Sequence, residues 1–316
     1  MKGKPQRVDL RRLSTEKANA ASIDLDRKSS LEIARIINAE DAKVATAVAH
    51  SLPQIAQTID CIAAALAKGG RLIYVGTGTS GRIAALDAAE CPPTFNTSPK
   101  LVQFIIAGGS KALAEATEAS EDSRKLGRIA IAKKKPGKND VVVGVAASGR
   151  TPFTIAAVQY ARARGAMTVA VVCNRNSPLE KAAEITIMAE VGPEVVAGST
   201  RMKAGTAQKM ILNMLTTGAM TRLGYVYGNL MVNLHLKNEK LAERGIGILE
   251  QAADLNRAEA RKLLKSAQHS VPVALVMAKA AVNHAQASAA LKKAAGHVRN
   301  AISRARSANS RLLARG

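Results

Sequence analysis

From Ser14 to about Lys68, apolar residues recur every three or four positions, as in LEIARIINAEDAKVATAVAHSLPQIAQTIDCIAAALAKGG. That period predicts amphipathic helices, and Gly69-Gly70 is a helix stop. The pattern then changes. Five short runs are almost wholly apolar: RLIYV (71–75), VQFIIA (102–107), DVVVGVA (140–146), MTVAVVC (167–173) and EITIMA (184–189). Strands covered on both faces read this way, as in parallel sheets. Helix-length connectors such as TPFTIAAVQYARARG separate them. The alternation predicts an α/β fold: a doubly wound five-stranded parallel sheet with helices on both sides. A flavodoxin-like order, 2-1-3-4-5, would make strands one and three neighbours. After Gly224 strand signals cease and the chain is Ala-rich and helical. Asn256 followed by Glu259 has capping-box spacing.

The expected organisation is a basic arm over 1–12, N-terminal helices over 13–68, an α/β domain over 69–239, and a C-terminal helical bundle over 240–316. About three helices are expected in that bundle. KKKPGKN (133–139) reads as a solvated turn. At 316 residues and 47% hydrophobic composition, the chain suffices for one large domain with a smaller appendage. Every 18-residue run contains a charge, so no membrane span is expected. The basic N-terminus has no apolar stretch behind it and does not read as a secretory signal. Cys61, Cys91 and Cys173 lack C-x-x-C spacing and read as reduced thiols of a cytoplasmic protein. The histidines show no H-x-x-x-H or H-x-E pattern, so no metal site is expected.

Net charge is +22, which raises nucleic acid as a ligand. The excess gathers at the two ends, however, and aromatic content is 2% with no Trp, leaving little to stack on bases. The charge is read instead as a solvated basic surface that draws in anionic substrates.

YVGTGTSGR (74–82) contains G-x-G-x-x-G directly after the first strand. A dinucleotide site would also carry an acid at the tip of the second strand, but that strand ends in Ala107-Gly108-Gly109. Thr77, Thr79 and Ser80 instead crowd hydroxyls around Gly78. Hydroxyls and backbone N–H groups at a helix N-terminus suit a single phosphate monoester. A second loop, AASGRTP (146–152), follows the third strand and repeats the Ser-Gly-Arg of the first. With strands one and three adjacent, Ser148, Gly149, Arg150 and Thr151 would face Gly78, Thr79 and Ser80 across one crevice. A redox cofactor is excluded on this reading, and no cofactor is expected.

YVGTGTSGRIAALDAAECPPTF, VVVGVAASGRTPF and GPEVVAGSTRMKAGTAQK together resemble the bacterial N-acetylmuramic acid 6-phosphate etherases, members of the sugar-isomerase-domain superfamily and relatives of the glucokinase regulatory protein. The resemblance spans roughly residues 14 to 240, and more loosely the tail. It implies cleavage of the D-lactyl ether of N-acetylmuramic acid 6-phosphate to N-acetylglucosamine 6-phosphate and D-lactate, in cell-wall recycling. In the ring-opened sugar, C1 is an aldehyde that acidifies the C2 hydrogen. A base removes that proton, the enolate expels the lactyl oxygen from C3 as an acid protonates it, and water adds to the alkene. One basic and one acidic side chain suffice.

The resemblance places the acid at Glu90, in AAECPPT, and the base at Glu121, in EATEASEDS. By position alone, Glu121 competes with Glu115, Glu118 and Asp122. If residues 81–90 form a helix stopped at Pro92-Pro93, Glu90 lies about 15 Å along the axis from Ser80. It then either bends back at the proline pair or serves a neighbouring subunit, which implies a homodimer. Ser199, Arg201 and Lys203 are candidates to contact phosphate or the lactyl carboxylate, with helix capping and surface charge as the alternative. Glu194 is a candidate for binding sugar hydroxyls or assisting ring opening.

The chain departs from the family pattern at Thr77, where Ala is common, at Ala89, where Ser is usual, and at TEASED, which replaces V-E-G-A-E-D. Two other functions stay open, a non-catalytic sugar-phosphate sensor and an aldose–ketose isomerase.

Overall fold

The computed structural model describes residues 13–115, 120–234, 236 and 239–313; the expected basic arm over 1–12 and Glu118 lie outside the described residues. Element order is α1 (Ser30–Asp41), α2 (Val44–Ala49), α3 (Leu52–Ala67), β1 (Leu72–Gly76), α4 (Gly78–Phe95), β2 (Val102–Ile106), α5 (Arg124–Lys133), β3 (Val141–Val145), α6 (Pro152–Ala163), β4 (Met167–Val172), α7 (Pro178–Ala182), β5 (Ile185–Met188) and α8 (Lys203–Arg222), then α9 (Glu239–Ala253), α10 (Arg257–Ser266), α11 (Val271–Ala280), α12 (His284–Lys293) and α13 (Val298–Leu313).

The five strands are parallel, as the alternation predicted, and ordered β2-β1-β3-β4-β5, the expected flavodoxin-like order. β1 and β3 pair in register to their last residues, Gly76 opposite Val145. Both faces of the sheet are covered. Ile73, Val75 and Val142 pack with Ile131 of α5 and Phe153, Ala157 and Ala161 of α6. On the other face, the Tyr74 hydroxyl donates to Asp87 of α4 at 2.8 Å. Asn213 and Thr216 of α8 donate to the same carboxylate at 2.7 and 3.1 Å. Burial raises the Asp87 pKa, and these three donors oppose the rise.

α4 does not stop at Pro92-Pro93; it runs through both prolines to Phe95. Without N–H groups, the prolines leave the carbonyls of Ala88 and Ala89 without their usual donors. The chain divides at that point. One compact unit runs to Ala88 and resumes over Lys100–Thr216; the other takes Ala89–Pro99 and the chain from Thr217 on. Among the described residues, 239–313 form five helices, where about three were expected, around a core that includes Leu249, Leu264, Leu275 and Ala301. The Asn256–Glu259 capping box is present at the start of α10. No helix among the described residues is long and apolar enough to cross a membrane.

Candidate functional site

Two loops leave the sheet side by side, because β1 and β3 are neighbours about 4.8 Å apart. The first, from Thr77, opens α4. The second, from Ala146, opens α6. Since α4 and α6 cover opposite faces, the chain diverges there and leaves a crevice between the loops, at the switch point of the sheet. Gly78 and Thr79 are partly exposed, and Ser80 is buried. In the second loop, the Ser148 Oγ accepts the Arg150 N–H at 3.2 Å, which leaves its own proton to donate elsewhere. Thr151 makes no side-chain cap to α6, and Pro152 occupies the first turn. Pro152 carries no N–H and the Phe153 N–H is given to the Glu121 carbonyl at 3.0 Å, so what the start of α6 offers an anion is the positive end of its dipole. Arg150 also keeps a buried Nε with no hydrogen-bond partner.

Both loops need glycine where they turn. Gly149 has φ +64°, and a Cβ there would stand 2.4 Å from the Ser177 Oγ. Gly78 has φ +49°, and a Cβ would stand 3.3 Å from Glu121 Oε1. The second figure places a carboxyl directly over the first loop. Glu121 is held from the other side as well, since its carbonyl accepts the Phe153 N–H at 3.0 Å in the first turn of α6. Both loops thus bracket Glu121, although it lies about forty residues from the first loop and thirty from the second.

α8 contributes a third helix start. A Cβ on Gly205 would lie 3.5 Å from both the Thr79 Cγ2 and the Ile83 Cδ1. Asn213 and Thr216 meet Asp87 farther along, so α4 and α8 run parallel with their first turns adjacent. Glu194 caps α8, its two oxygens accepting the N–H groups of Lys203 and Ala204 at 2.9 Å each. Burial raises the Glu194 pKa and those two backbone bonds oppose the rise.

Lys203 is 1% exposed, and its Nζ reaches back 2.5 Å to Glu40 of α1. Burial alone would raise the Glu40 pKa, but hydrogen bonds from Lys203 and Lys43 hold it at about 2. Glu194 is thus engaged with the start of α8 and Lys203 with Glu40. The orphan N–H groups of a buried helix start require a cap, and the capped turn requires an anchor. Ser199 is partly exposed and Arg201 exposed in the turn before α8.

Glu90 is exposed, in the stretch of α4 that groups with the second unit. Cys91 and Cys173 are buried and none of the three cysteines forms a disulfide. Burial pushes Cys173 up to about 12, which removes it as a nucleophile at neutral pH.

Two features escaped the sequence reading. One is Glu40, whose partner is 163 residues away. The other is the start of the described chain, laid against the ends of β3 and β4. The Asn174 Oδ1 accepts from Ser14 N and Oγ, and its Nδ2 donates to Thr15 Oγ1 and to Ala147 O. A polar residue just past an apolar strand, as in AVVCNRN, was the one available signal.

The class of protein is the sugar-isomerase, or SIS, domain, whose family models match the chain across this sheet. Residues 54–162 match the glucokinase regulatory protein N-terminal SIS domain and residues 132–218 match the SIS domain. The chain belongs to the N-acetylmuramic acid 6-phosphate etherase family. It is 49% identical to the N-acetylmuramic acid 6-phosphate etherase of Clostridium beijerinckii, over 93% of this chain and 97% of that protein. It is 47% identical to the one from Klebsiella aerogenes, over 94% and 99%. Among solved structures, a phosphoheptose isomerase from Francisella tularensis is similar over 61% of this chain and 100% of its own, at 17% identity and TM-score 0.48.

Proposed function

We infer that this protein cleaves the lactyl ether of N-acetylmuramic acid 6-phosphate, the substrate its relatives are named for, and that it does so with two glutamates. What supports the base assignment is the Glu121 carboxyl over Gly78 with its backbone tied to Phe153. In this reading the phosphoryl group lies between Thr79, Ser80 and Ser148, on the first turns of α4 and α6. Arg150, with its unpartnered Nε, is the cation of the crevice. Helix starts favour negative charge, and two that converge reinforce each other.

Glu121 takes the C2 proton of the open-chain sugar. The C2 electron pair moves to form the C2–C3 double bond, and the C3–oxygen bond breaks. Glu90 delivers a proton to the departing lactyl oxygen. Water then adds at C3 and a proton returns to C2, giving N-acetylglucosamine 6-phosphate and D-lactate. The deciding experiment is incubation with N-acetylmuramic acid 6-phosphate and an assay of free D-lactate. A sensor or an isomerase would release none.

Ser148→Ala removes one donor to a charged oxygen, a contact worth about 1.5–3 kcal/mol. KM is expected to rise roughly tenfold to a hundredfold with little change in kcat, as steady-state kinetics would read. An unchanged KM would remove Ser148 from the cradle.

α4 continues through Pro92-Pro93 to Phe95, so Glu90 lies within the helix, about 15 Å along its axis from Ser80. We therefore assign Glu90 to a crevice completed by a second copy of the chain, which makes the active form a homodimer. Mixed subunits carrying Glu90→Ala and Ser80→Ala are expected to recover part of the activity that each lacks alone. Hybrids as inactive as their parents would rule out sharing.

A further inference from the structure

The two loops carry the same Ser-Gly-Arg, yet their arginines are engaged differently. Arg150 has a buried Nε without a partner. The guanidinium of Arg82 binds backbone: its Nε donates to Leu113 O at 3.1 Å and its NH2 group to Glu115 O at 2.8 Å. Those carbonyls belong to the connection that leaves β2 and leads to Glu121. Arg82 stands four residues after Gly78 on α4, hence on the same stripe of the helix, about 6 Å farther along its axis. The stripe meets that connection twice. Arg82 holds it at 113 and 115, and Gly78 lies under the Glu121 carboxyl past residues 116–119, which are outside the described residues.

We propose that Arg82 is a positioning residue for the base, indexing Glu121 to the phosphate loop by pinning the Leu113 and Glu115 carbonyls to α4. This inference rests on Glu121 being the base. The physical case is geometric. A base acts on C2 only if its height above the bound phosphate is fixed, and the first turn of α4 defines the position of that phosphate. A planar fork with fixed N–H directions holds two carbonyls in one orientation, whereas a lysine ammonium is a point charge on a flexible stem. The two arginines thus divide the labour: the second loop's cation addresses substrate and the first loop's addresses the chain that carries the base.

The test uses two readouts on the full-length protein. In the forward reaction, Arg82→Gln is expected to lower kcat about a hundredfold, the scale of a misplacement near 1 Å, with KM within about twofold of the parent. In D2O with N-acetylglucosamine 6-phosphate alone, exchange of the C2 proton reads the base without elimination, and it should fall in parallel with kcat. Arg82→Lys should be impaired similarly, and added guanidinium ion should restore part of the kcat of an Arg82→Ala variant.

Three results would overturn the proposal: parental kcat and exchange in Arg82→Gln, full activity in Arg82→Lys, or a loss that appears as KM alone. Loss of kcat with a lowered melting temperature and no guanidinium rescue would also overturn it, since that marks a purely structural arginine. Glu121→Gln keeps the two ideas separable. If that variant stays active, the base assignment fails; if it is inactive while Arg82→Gln matches the parent, only the positioning role fails.

Discussion

Glu121→Gln is expected to slow D-lactate release from N-acetylmuramic acid 6-phosphate by about 10²–10⁴-fold, the usual share of a positioned general base. The amide keeps the shape and the hydrogen-bonding oxygen of the carboxylate, so binding should survive and KM should change little. The companion Glu90→Gln separates the two carboxyls. If Glu90 delivers the proton to the leaving oxygen, that variant loses lactate release but still exchanges the C2 proton of N-acetylglucosamine 6-phosphate in D2O. Glu121→Gln should lose both. Exchange that persists in Glu121→Gln and vanishes in Glu90→Gln would exchange their roles. Exchange and lactate release unaffected in both would leave the acid–base pair unidentified. Glu121 earns the larger expectation because it is bracketed by both loops, with its carboxyl at Gly78 and its carbonyl on the Phe153 N–H.

The largest expected effect on stability lies behind the site. Glu40→Gln leaves the Lys203 ammonium buried without its counter-charge, and breaking a buried pair in this way costs about 3–5 kcal/mol. The paired change Glu40→Leu with Lys203→Met should recover most of that loss, since apolar groups of similar volume replace such pairs at little cost. Denaturant midpoints measure both. A single variant as stable as the parent would mean that water reaches the pair.

The same carboxylate gives an acid signature. The Glu40 pKa falls from the ordinary 4.5 to about 2 in the folded chain, through the hydrogen bonds from Lys203 and Lys43 that overcome its burial. Between those values the unfolded chain takes up a proton that the folded chain refuses. The resulting stability is present above pH 4.5 and is lost as pH falls toward 2, by about 3 kcal/mol at 1.36 kcal/mol per pH unit. Glu40→Gln should flatten that acid limb while leaving the neutral plateau lower.

What was legible in the sequence was whatever depends on neighbours along the chain. The apolar runs at 71–75, 102–107, 140–146, 167–173 and 184–189 became β1 to β5, because a strand covered on both faces has no polar side to alternate with. The strand order matched the flavodoxin-like order expected of such a sheet, and the Asn256–Glu259 box followed from a three-residue spacing. The end of α4 was misread. A proline pair usually ends a helix, yet here it costs two backbone bonds at the place where the chain passes from one compact unit to the next.

Residue types alone singled out the two hydroxyl-bearing loops, because phosphate recognition needs only local N–H groups, hydroxyls and a glycine turn. They left Glu121 among a cluster of acids and offered Glu194 and Lys203 as ligand contacts. Only tertiary structure brings the Glu121 carboxyl to Gly78, because the two lie about forty residues apart in the chain. Only tertiary structure turns Glu194 inward to cap α8 and joins Lys203 to Glu40 across 163 residues. Periodicity records which face of an element meets the core, and a motif records what a loop can hold. Neither records which distant side chain the folded sheet brings opposite, because that is set by topology and burial instead of spacing.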